Sequence, residues 1–277
     1  MKKTIQLLIL FSLISSSTFS QPEDKKLNKI TFLMVDGQFE DVAKKTQKLL
    51  EEAEYRRNGW AYYYLAQSQY ELARNAEYME EYPKAFRDAM KAAYKLAKYR
   101  DKTEENSAVY IEAQEFLMEL KDSAITVSEI YYDNEKPRKA AYYLKGAVRF
   151  APNDYALWLM KGVYEIKARN IGEGVKSIIT AMDSVDLDYV PDDVSMQTMI
   201  DALSEYELIV KSGEYDKYFS TYKFNPTTKD VEDAVALKEK LKEMIEGEEV
   251  DKEERKKESE VIYKTFRSDE EDEDFEE

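Results

Sequence analysis

Two consecutive stretches of 34 residues decide the fold: KDSAITVSEIYYDNEKPRKAAYYLKGAVRFAPND (Lys121–Asp154) and YALWLMKGVYEIKARNIGEGVKSIITAMDSVDLD (Tyr155–Asp188). Aligned on this period, Ala124 falls on Trp158, Ser128 on Gly162, Ala140 on Gly174, Leu144 on Ile178, and Ala147 on Ala181. Small residues recur where two helices would cross closely, and large apolar residues recur between them. A fixed period of this size indicates a repeat architecture, so we expect two copies of one helical hairpin within an all-α fold.

This spacing resembles the tetratricopeptide repeat family. The family's pattern has a large residue early in the first helix of each hairpin, a small residue four positions later, and then Ala, an aromatic residue or Leu, Ala and Pro along the second helix. The residues predicted to pack the repeat in this way are Ala140, Leu144, Ala147, Pro152, Trp158, Gly162, Gly174, Ile178 and Ala181. Two residues depart from the pattern: Lys161 stands where an apolar residue is usual, and Asp186 stands where Pro is usual. The resemblance implies a right-handed α-solenoid of tandem helix–turn–helix hairpins.

Weaker copies of the hairpin flank the central pair. We expect them at residues 21–56, 59–100 and 191–226, so that the repeat domain covers residues 21–226. In a solenoid each repeat contacts only its neighbours, and the end of the array needs a cover. Thr227 and Thr228, followed by acidic residues, form a helix N-cap signal, which predicts such a cover.

The two ends of the chain differ from the middle. Lys2 and Lys3 precede the short apolar run Ile5–Ile14, a pattern typical of a secretory signal peptide, which we place at residues 1–20. The run is too short for a membrane-spanning helix, which needs about 20 residues. The signal predicts a periplasmic or secreted protein, and the absence of Cys after the cleavage site argues against a lipid anchor.

The C-terminal end is dominated by charge. We expect capping and charged helices over residues 227–266 and a disordered acidic tail at residues 267–277. The whole chain of 277 residues has a formal net charge of −16. Nucleic-acid binding depends on neutralising phosphates with basic side chains, so this balance argues against it.

The composition removes most catalytic chemistry. The chain contains no His and no Cys, which excludes Ser/His/Asp and Cys/His catalysis and ordinary zinc sites. There is no Gly-rich phosphate loop either. We therefore expect no enzyme activity and no cofactor.

An acidic cluster follows the central pair and allows two interpretations. Its members are Asp183, Asp186, Asp188, Asp192 and Asp193. A calcium site of the helix–loop–helix type needs a mid-loop Gly and a terminal bidentate Glu, and this loop has neither. A solvated loop between helices is the favoured interpretation, and no metal site is predicted.

The resemblance also implies a binding surface. In the tetratricopeptide family, residues of the first helix of each hairpin line a concave groove. The corresponding positions here are Tyr63, Gln67 and Tyr70; Ile125, Glu129 and Tyr132; and Leu159, Val163 and Ile166. The family's carboxylate clamp uses Lys and Asn at such places, and this chain has neither there. We therefore expect an apolar, aromatic groove that does not hold a peptide C-terminus.

These features favour a protein–protein interaction scaffold of the cell envelope, with a peptide or a partner helix in the groove. One alternative is a holdase-like chaperone for exported proteins, kept soluble by its acidic charge. Another is a carbohydrate-binding accessory protein that uses some of the 22 tyrosines as sugar platforms. The sequence leaves the identity of the partner and the oligomeric state open.

Overall fold

The computed structural model of the chain describes residues 22, 24–78 and 80–245. The expected signal peptide at residues 1–20 and the expected acidic tail at residues 267–277 lie outside the described residues, as does the predicted C-terminal region beyond Ile245. The described residues form helices, turns and loops and contain no strand. The expected all-α class is confirmed.

The described part of the chain forms twelve α-helices. They are α1 (Lys25–Val35), α2 (Phe39–Glu51), α3 (Gly59–Arg74), α4 (Ala85–Tyr99), α5 (Glu104–Glu112), α6 (Gln114–Asp133), α7 (Pro137–Phe150), α8 (Tyr155–Lys167), α9 (Ile171–Met182), α10 (Met196–Ser212), α11 (Asp216–Thr221) and α12 (Thr228–Ile245). Short 3-10 turns at Ala76–Tyr78 and Arg100–Lys102 follow α3 and α4. None of these helices is long and apolar enough to cross a membrane.

The helices pack against their neighbours along the chain. Four consecutive pairs are formed by α1 with α2, α3 with α4, α6 with α7, and α8 with α9. Contacts of α2 with α3 and of α7 with α8 join consecutive pairs, while α10 packs on α8 and α12 packs on α10. One connected cluster of buried apolar side chains consequently extends from Leu27 in α1 to Leu241 in α12.

Three of the hairpins turn with the same backbone geometry. Gly37, Glu135 and Arg169 have φ angles of 69°, 60° and 64°, and each follows the end of a first helix. In each turn this residue's N–H and the next N–H donate to carbonyls of the last helical turn, for example Arg169 to Ile166 and Asn170 to Glu165, both at 2.9 Å. This is the Schellman pattern of helix termination. Glu135 and Arg169 lie 34 residues apart, so the sequence period recurs in the backbone.

The small residues of the period lie where the paired helices cross. A Cβ atom built on Gly162 would lie 2.8 Å from the Gly174 carbonyl oxygen and 2.8 Å from Ile178 Cγ1, which only glycine permits. In the other copy, the Ser128 hydroxyl donates to the Ala140 carbonyl at 3.0 Å. Most of the predicted packing residues are buried, namely Ala140, Leu144, Ala147, Gly162, Gly174, Ile178 and Ala181. Pro152 is exposed and Trp158 is half-buried, so these two lie at the edge of the packing.

The unusual residue Lys161 has a buried polar environment. Its Nζ donates to the Glu165 carboxylate at 3.0 Å and to the Ser177 hydroxyl at 2.7 Å, and Ser177 donates in turn to Glu165 at 2.8 Å. The equivalent positions in the first copy are Val127, Tyr131 and Tyr143. The two tyrosine rings stack there with centroids 5.3 Å apart. These three positions of the repeat therefore hold an ion-pair network in the second copy and an aromatic stack in the first.

Candidate partner-binding groove

The nine predicted groove residues do not share one surface. Ile125, Glu129 and Tyr132, all on α6, line a single groove. The other six, which lie on α3 and α8, are covered by neighbouring helices to different extents.

On α8, Leu159 and Val163 have no exposed surface and Ile166 is 3% exposed. The physical reason is that α10 packs directly on α8 and covers the face that the resemblance assigns to binding. The structure thus corrects the location expected for these three residues: they belong to the core.

On α3, Tyr63 and Tyr70 pack beneath α6. Their ring centroids lie 5.8 and 5.9 Å from that of Phe116, and the Tyr70 hydroxyl lies 2.7 Å from the Ser123 hydroxyl. Gln67 is half-buried and donates to the Tyr63 hydroxyl at 3.0 Å. Both tyrosines are therefore core residues as well, because the first turns of α6 cover this face of α3.

A groove is formed by α6, α8 and α10, and we call it the α6–α10 groove. It has a volume of about 880 Å³. One face of α6 lines it from Asp122 to Asp133, and α10 lines it from Met196 to Glu205. Met160 and Tyr164 reach it from α8, and the last described residues of α12, Met244 and Ile245, border it.

The floor of the groove is apolar. Its buried members are Ile125, Ile130, Met160, Tyr164 and Met196. The Tyr132 ring, which is half-buried, stacks on the Tyr164 ring with centroids 4.4 Å apart. Met side chains adapt to different partners, and stacked aromatic rings provide a large rigid area, so this floor suits the contact of an apolar side chain from another molecule.

The rim of the groove is acidic. Six lining residues carry carboxylates: Asp122, Glu129, Asp133, Asp193, Asp201 and Glu205. No Lys or Arg is among the described residues that line it. The Lys167 ammonium lies next to it, since Lys167 Nζ is 3.0 Å from Glu205 Oε2, and this contact raises the pKa of Lys167. The groove therefore combines an apolar floor with a negatively charged edge.

The negative charge of the rim raises the pKa of a tyrosine in the floor of the groove. Burial raises the pKa of the Tyr164 phenol well above its ordinary value, and the negative charges of Glu129, Asp133 and Asp201 raise it further. The phenol therefore remains protonated at neutral pH. The same electrostatic field favours cations in the groove and disfavours anions.

A buried ion-pair network ties the helices around the groove together. Lys121 of α6, 3% exposed, donates to Asp154 Oδ2 at 2.9 Å and also to Asp192. Asp154 is the N-cap of α8 and accepts a hydrogen bond from the Ser195 hydroxyl just before α10. Removing one partner of a buried ion pair is strongly destabilising, so this network holds α6, α8 and the start of α10 in one arrangement.

Sequence reasoning missed this network. It assigned Asp192 to a solvated loop and gave Lys121 no role. A usable signal was present, because Lys121 lies on the helix face that carries Leu117, Leu120 and Ala124, all of which are buried. A charged residue on such a face indicates a buried partner.

The acidic cluster before α10 shows no metal-binding geometry. Asp192 pairs with Lys121, and Asp186 accepts a hydrogen bond from the Asp188 N–H at 3.0 Å. Across residues 22, 24–78 and 80–245, no group of three or more acidic side chains is arranged to hold a metal ion. Asp186 thus caps a turn within the loop, while Asp192 pairs with a helix outside it.

The comparisons with known proteins give no family. The chain matches no protein-family model, and no curated protein sequence matches it. What the protein does must therefore be argued from the α6–α10 groove.

Proposed function

We propose that the protein is a non-enzymatic scaffold that holds a segment of a partner protein in the α6–α10 groove. The observation that carries this proposal is the combination of an apolar floor, with the stacked pair Tyr132 and Tyr164, and a polar rim. Protein-binding patches have this anatomy, with apolar and aromatic side chains at the centre and charges at the edge. The chain's lack of His and Cys agrees with binding rather than catalysis.

The groove favours a helix as the bound segment. Extended peptides commonly add a strand to an exposed sheet edge, and the described residues contain no strand. Recognition must then come from side chains. An amphipathic helix laid into an apolar groove is one mode that works without main-chain pairing.

The proposal includes the repeat architecture. Support for a tetratricopeptide-like, right-handed solenoid comes from the turns at Glu135 and Arg169, which lie one period apart, and from the crossings at Ser128 and Gly162. Such arrays bind partners along the first helices of their hairpins. α6, α8 and α10 hold that position in three consecutive hairpins of this proposal.

The proposed site of action is outside the cytoplasm. This rests on the signal-like pattern of residues 1–20 in the sequence. Mass determination of the protein purified from its native source tests it: we expect a mature chain that begins at or near Gln21, and an intact N-terminus would contradict it.

Photo-crosslinking in the native cell tests the use of the groove. We would replace Gln197, which lines the groove on α10, by a photo-reactive amino acid, and replace Gln47, exposed on α2, as the matched control. We expect covalent adducts with a discrete protein at position 197 and none at position 47. The variant Thr126→Trp, which fills the groove from the α6 side, should remove the adduct. Equal adducts at both positions, or none at position 197, would refute the proposal.

A further inference from the structure

The described part of the chain ends at the edge of the α6–α10 groove. Met244 and Ile245, the last two residues of α12, border it, and residues 246–277 follow in the sequence. We infer that the chain's own residues 257–267, which we call the C-terminal segment, occupy this groove when no partner is bound. The inference rests on the proposed function in one respect, because it makes the segment an internal competitor of the partner.

The direction of α12 shows at which end of the groove the chain arrives. Burial and the charge of Asp230, near the start of α12, raise the pKa of Tyr206 in the second half of α10. Near the end of α12, Lys240 donates to the Leu187 carbonyl, which precedes α10, at 2.7 Å. α12 thus runs antiparallel to α10, and Ile245 lies at the end of the groove where α10 begins.

The groove starts at this end on α6 as well. Lys121 donates to Asp192 just before α10, so Asp122, the first lining residue of α6, lies beside the start of α10. From Asp122 to Asp133 the groove follows about 16 Å of helix. Residues 246–256 connect α12 to the C-terminal segment, and these eleven residues span up to about 36 Å when extended. The connection is therefore long enough to place the segment at any point along the groove.

The C-terminal segment concentrates the apolar side chains of this end of the chain. Residues 246–277 contain six apolar or aromatic residues, and four of them fall within six positions. These four are Val261, Ile262, Tyr263 and Phe266, and the other two are Val250 and Phe275. Ile262 and Tyr263 precede Phe266 by four and three residues, which is the spacing of one helix face. The segment therefore offers a single apolar strip to the floor of the groove.

The floor of the groove provides matching contacts for this strip. Met160 and Met196 contribute thioethers, and Tyr132 and Tyr164 contribute the stacked rings. Thioether sulfurs and aromatic rings both pack favourably against further aromatic rings, and the segment supplies two of these. The contact therefore depends on apolar and aromatic area.

Charge permits this placement without driving it. Four rim carboxylates have interactions within the chain, namely those of Asp122, Glu129, Asp201 and Glu205, so they do not require cations from an occupant. Residues 252–267 hold 6 Lys and Arg against 4 Asp and Glu, a net charge of +2. Residues 268–277 hold 8 Asp and Glu and no Lys or Arg. The stretch that includes the segment thus avoids the repulsion that residues 268–277 would meet at an acidic rim.

The covalent connection favours the C-terminal segment over other occupants. A segment joined to its site by a short connection meets that site at an effective concentration on the order of 1 mM. A second copy of the chain would have to supply its segment from solution. A partner protein must bind in competition with the segment, and its apparent affinity falls with the fraction of the groove that is open.

Two double variants of the full chain test the docking. The segment variant, Ile262→Asp with Phe266→Asp, removes two apolar side chains from the C-terminal segment. The matched control variant, Val250→Asp with Phe275→Asp, adds the same charge and removes two apolar side chains outside the segment. Both are compared with the unchanged chain by methyl NMR of protein labelled at methionine, without any partner.

The signals of Met160 and Met196 report on the floor of the groove. We expect both signals to shift in the segment variant and to stay unchanged in the control variant. Unchanged signals in the segment variant, or equal shifts in the two variants, would overturn the inference. The shifts should be independent of protein concentration, and their loss on dilution would assign the groove to the segment of a second copy, which also overturns it.

Crosslinking of the purified protein gives an independent test of the same contact. With the photo-reactive amino acid at position 197, we expect mass spectrometry to find this position joined to a peptide from residues 257–267 of the same molecule. Position 47 serves as the control and should not join that peptide. Intramolecular products at position 197 that do not include residues 257–267 would overturn the inference.

The two proposals fail separately in the native cell. We expect the segment variant to raise the yield of the partner adduct at position 197 about fivefold or more, because the competitor is removed. A partner adduct that the segment variant leaves unchanged would support the proposed function and overturn this inference. Methionine shifts in the segment variant, with no partner adduct even in that variant, would support the docking of the segment and reject the proposed function.

Discussion

The two copies of the repeat cover equivalent residues to different extents. The pairs 34 residues apart are Ile125 with Leu159, Glu129 with Val163, and Tyr132 with Ile166. In the first copy all three line the α6–α10 groove, where Ile125 is buried, Tyr132 is half-buried and Glu129 is exposed. In the second copy all three are buried. The helices are alike in register, and the difference comes from the next element: α10 packs on α8, whereas the corresponding face of α6 meets Tyr164 of α8 and otherwise borders the groove.

This comparison teaches that position in the array decides which repeat can bind. A family pattern identifies the face of the helix, and packing then decides whether that face stays open. The sequence reflects the outcome at one pair, because a carboxylate such as Glu129 fits the open face but would be costly on the covered face, where Val163 stands.

Exchanging that pair should give the largest effect. Val163→Glu buries a carboxylate among apolar side chains and should lower the free energy of unfolding by about 4 kcal/mol. The reverse exchange, Glu129→Val, should change it by about 0.5 kcal/mol or less, since the site is exposed. Urea denaturation followed by circular dichroism measures both. Similar effects of the two variants would contradict the assignment of an open and a covered face.

The second largest loss of stability is expected in the buried ion-pair network of the second copy. Glu165→Ala leaves the Lys161 ammonium buried beside the Ser177 hydroxyl and the Trp158 ring but without its carboxylate, and should cost about 3 kcal/mol. The first copy fills these positions with Val127, Tyr131 and Tyr143. Transplanting that set as Lys161→Val, Glu165→Tyr and Ser177→Tyr removes the charges together and should cost less than the single change. If denaturation curves show that the triple variant is less stable than Glu165→Ala, the two environments are not interchangeable.

The helix crossings should respond less strongly. Gly162→Ala introduces a Cβ atom 2.8 Å from the Gly174 carbonyl oxygen and should cost about 2 kcal/mol by overpacking. Ser128→Ala, at the equivalent crossing, loses one hydrogen bond to the Ala140 carbonyl and should cost about 1 kcal/mol. The two unfolding free energies are measured in the same way, and a larger loss at Ser128 would mean that the crossings differ from this description.

The turns should give the smallest effect, and it has the opposite sign. Glu135 and Arg169 have positive φ angles, which cost a residue with a Cβ about 1–2 kcal/mol. Glu135→Gly or Arg169→Gly removes that strain and adds the entropy of glycine, so each should stabilise by about 0.5 kcal/mol. Gly37→Ala, at the same place in the first hairpin, should destabilise instead. Thermal unfolding compares the three variants, and destabilisation by both glycines would show that these turns carry no strain.

Much of the fold could be predicted from the local pattern of the sequence. The period of 34 residues and the small residues at 128, 140, 162 and 174 predict helices and crossings that depend on neighbours in sequence. The covering of α8 by α10 was not accessible in this way. It depends on contacts between residues far apart in the chain, and no local periodicity encodes them.

Three lining residues of the α6–α10 groove were expected from the sequence. Ile125, Glu129 and Tyr132 were named from the resemblance to the tetratricopeptide family. The α10 side of the groove was missed, because Asp201 and Glu205 look like ordinary solvated residues of a helix. Their place in the groove appears only when α10 is placed opposite α6.

Methyl NMR of the protein labelled at methionine tests the central claim most directly. Met160, Met196 and Met244 line the α6–α10 groove, while Met90 is buried in α4 and Met118 is exposed on α6 outside the groove. On titration with the partner protein identified by the crosslink at position 197, we predict shifts of the three groove methyl signals and none at Met90 and Met118. Shifts centred on Met118, or a spectrum that does not change at saturating partner, would contradict the account.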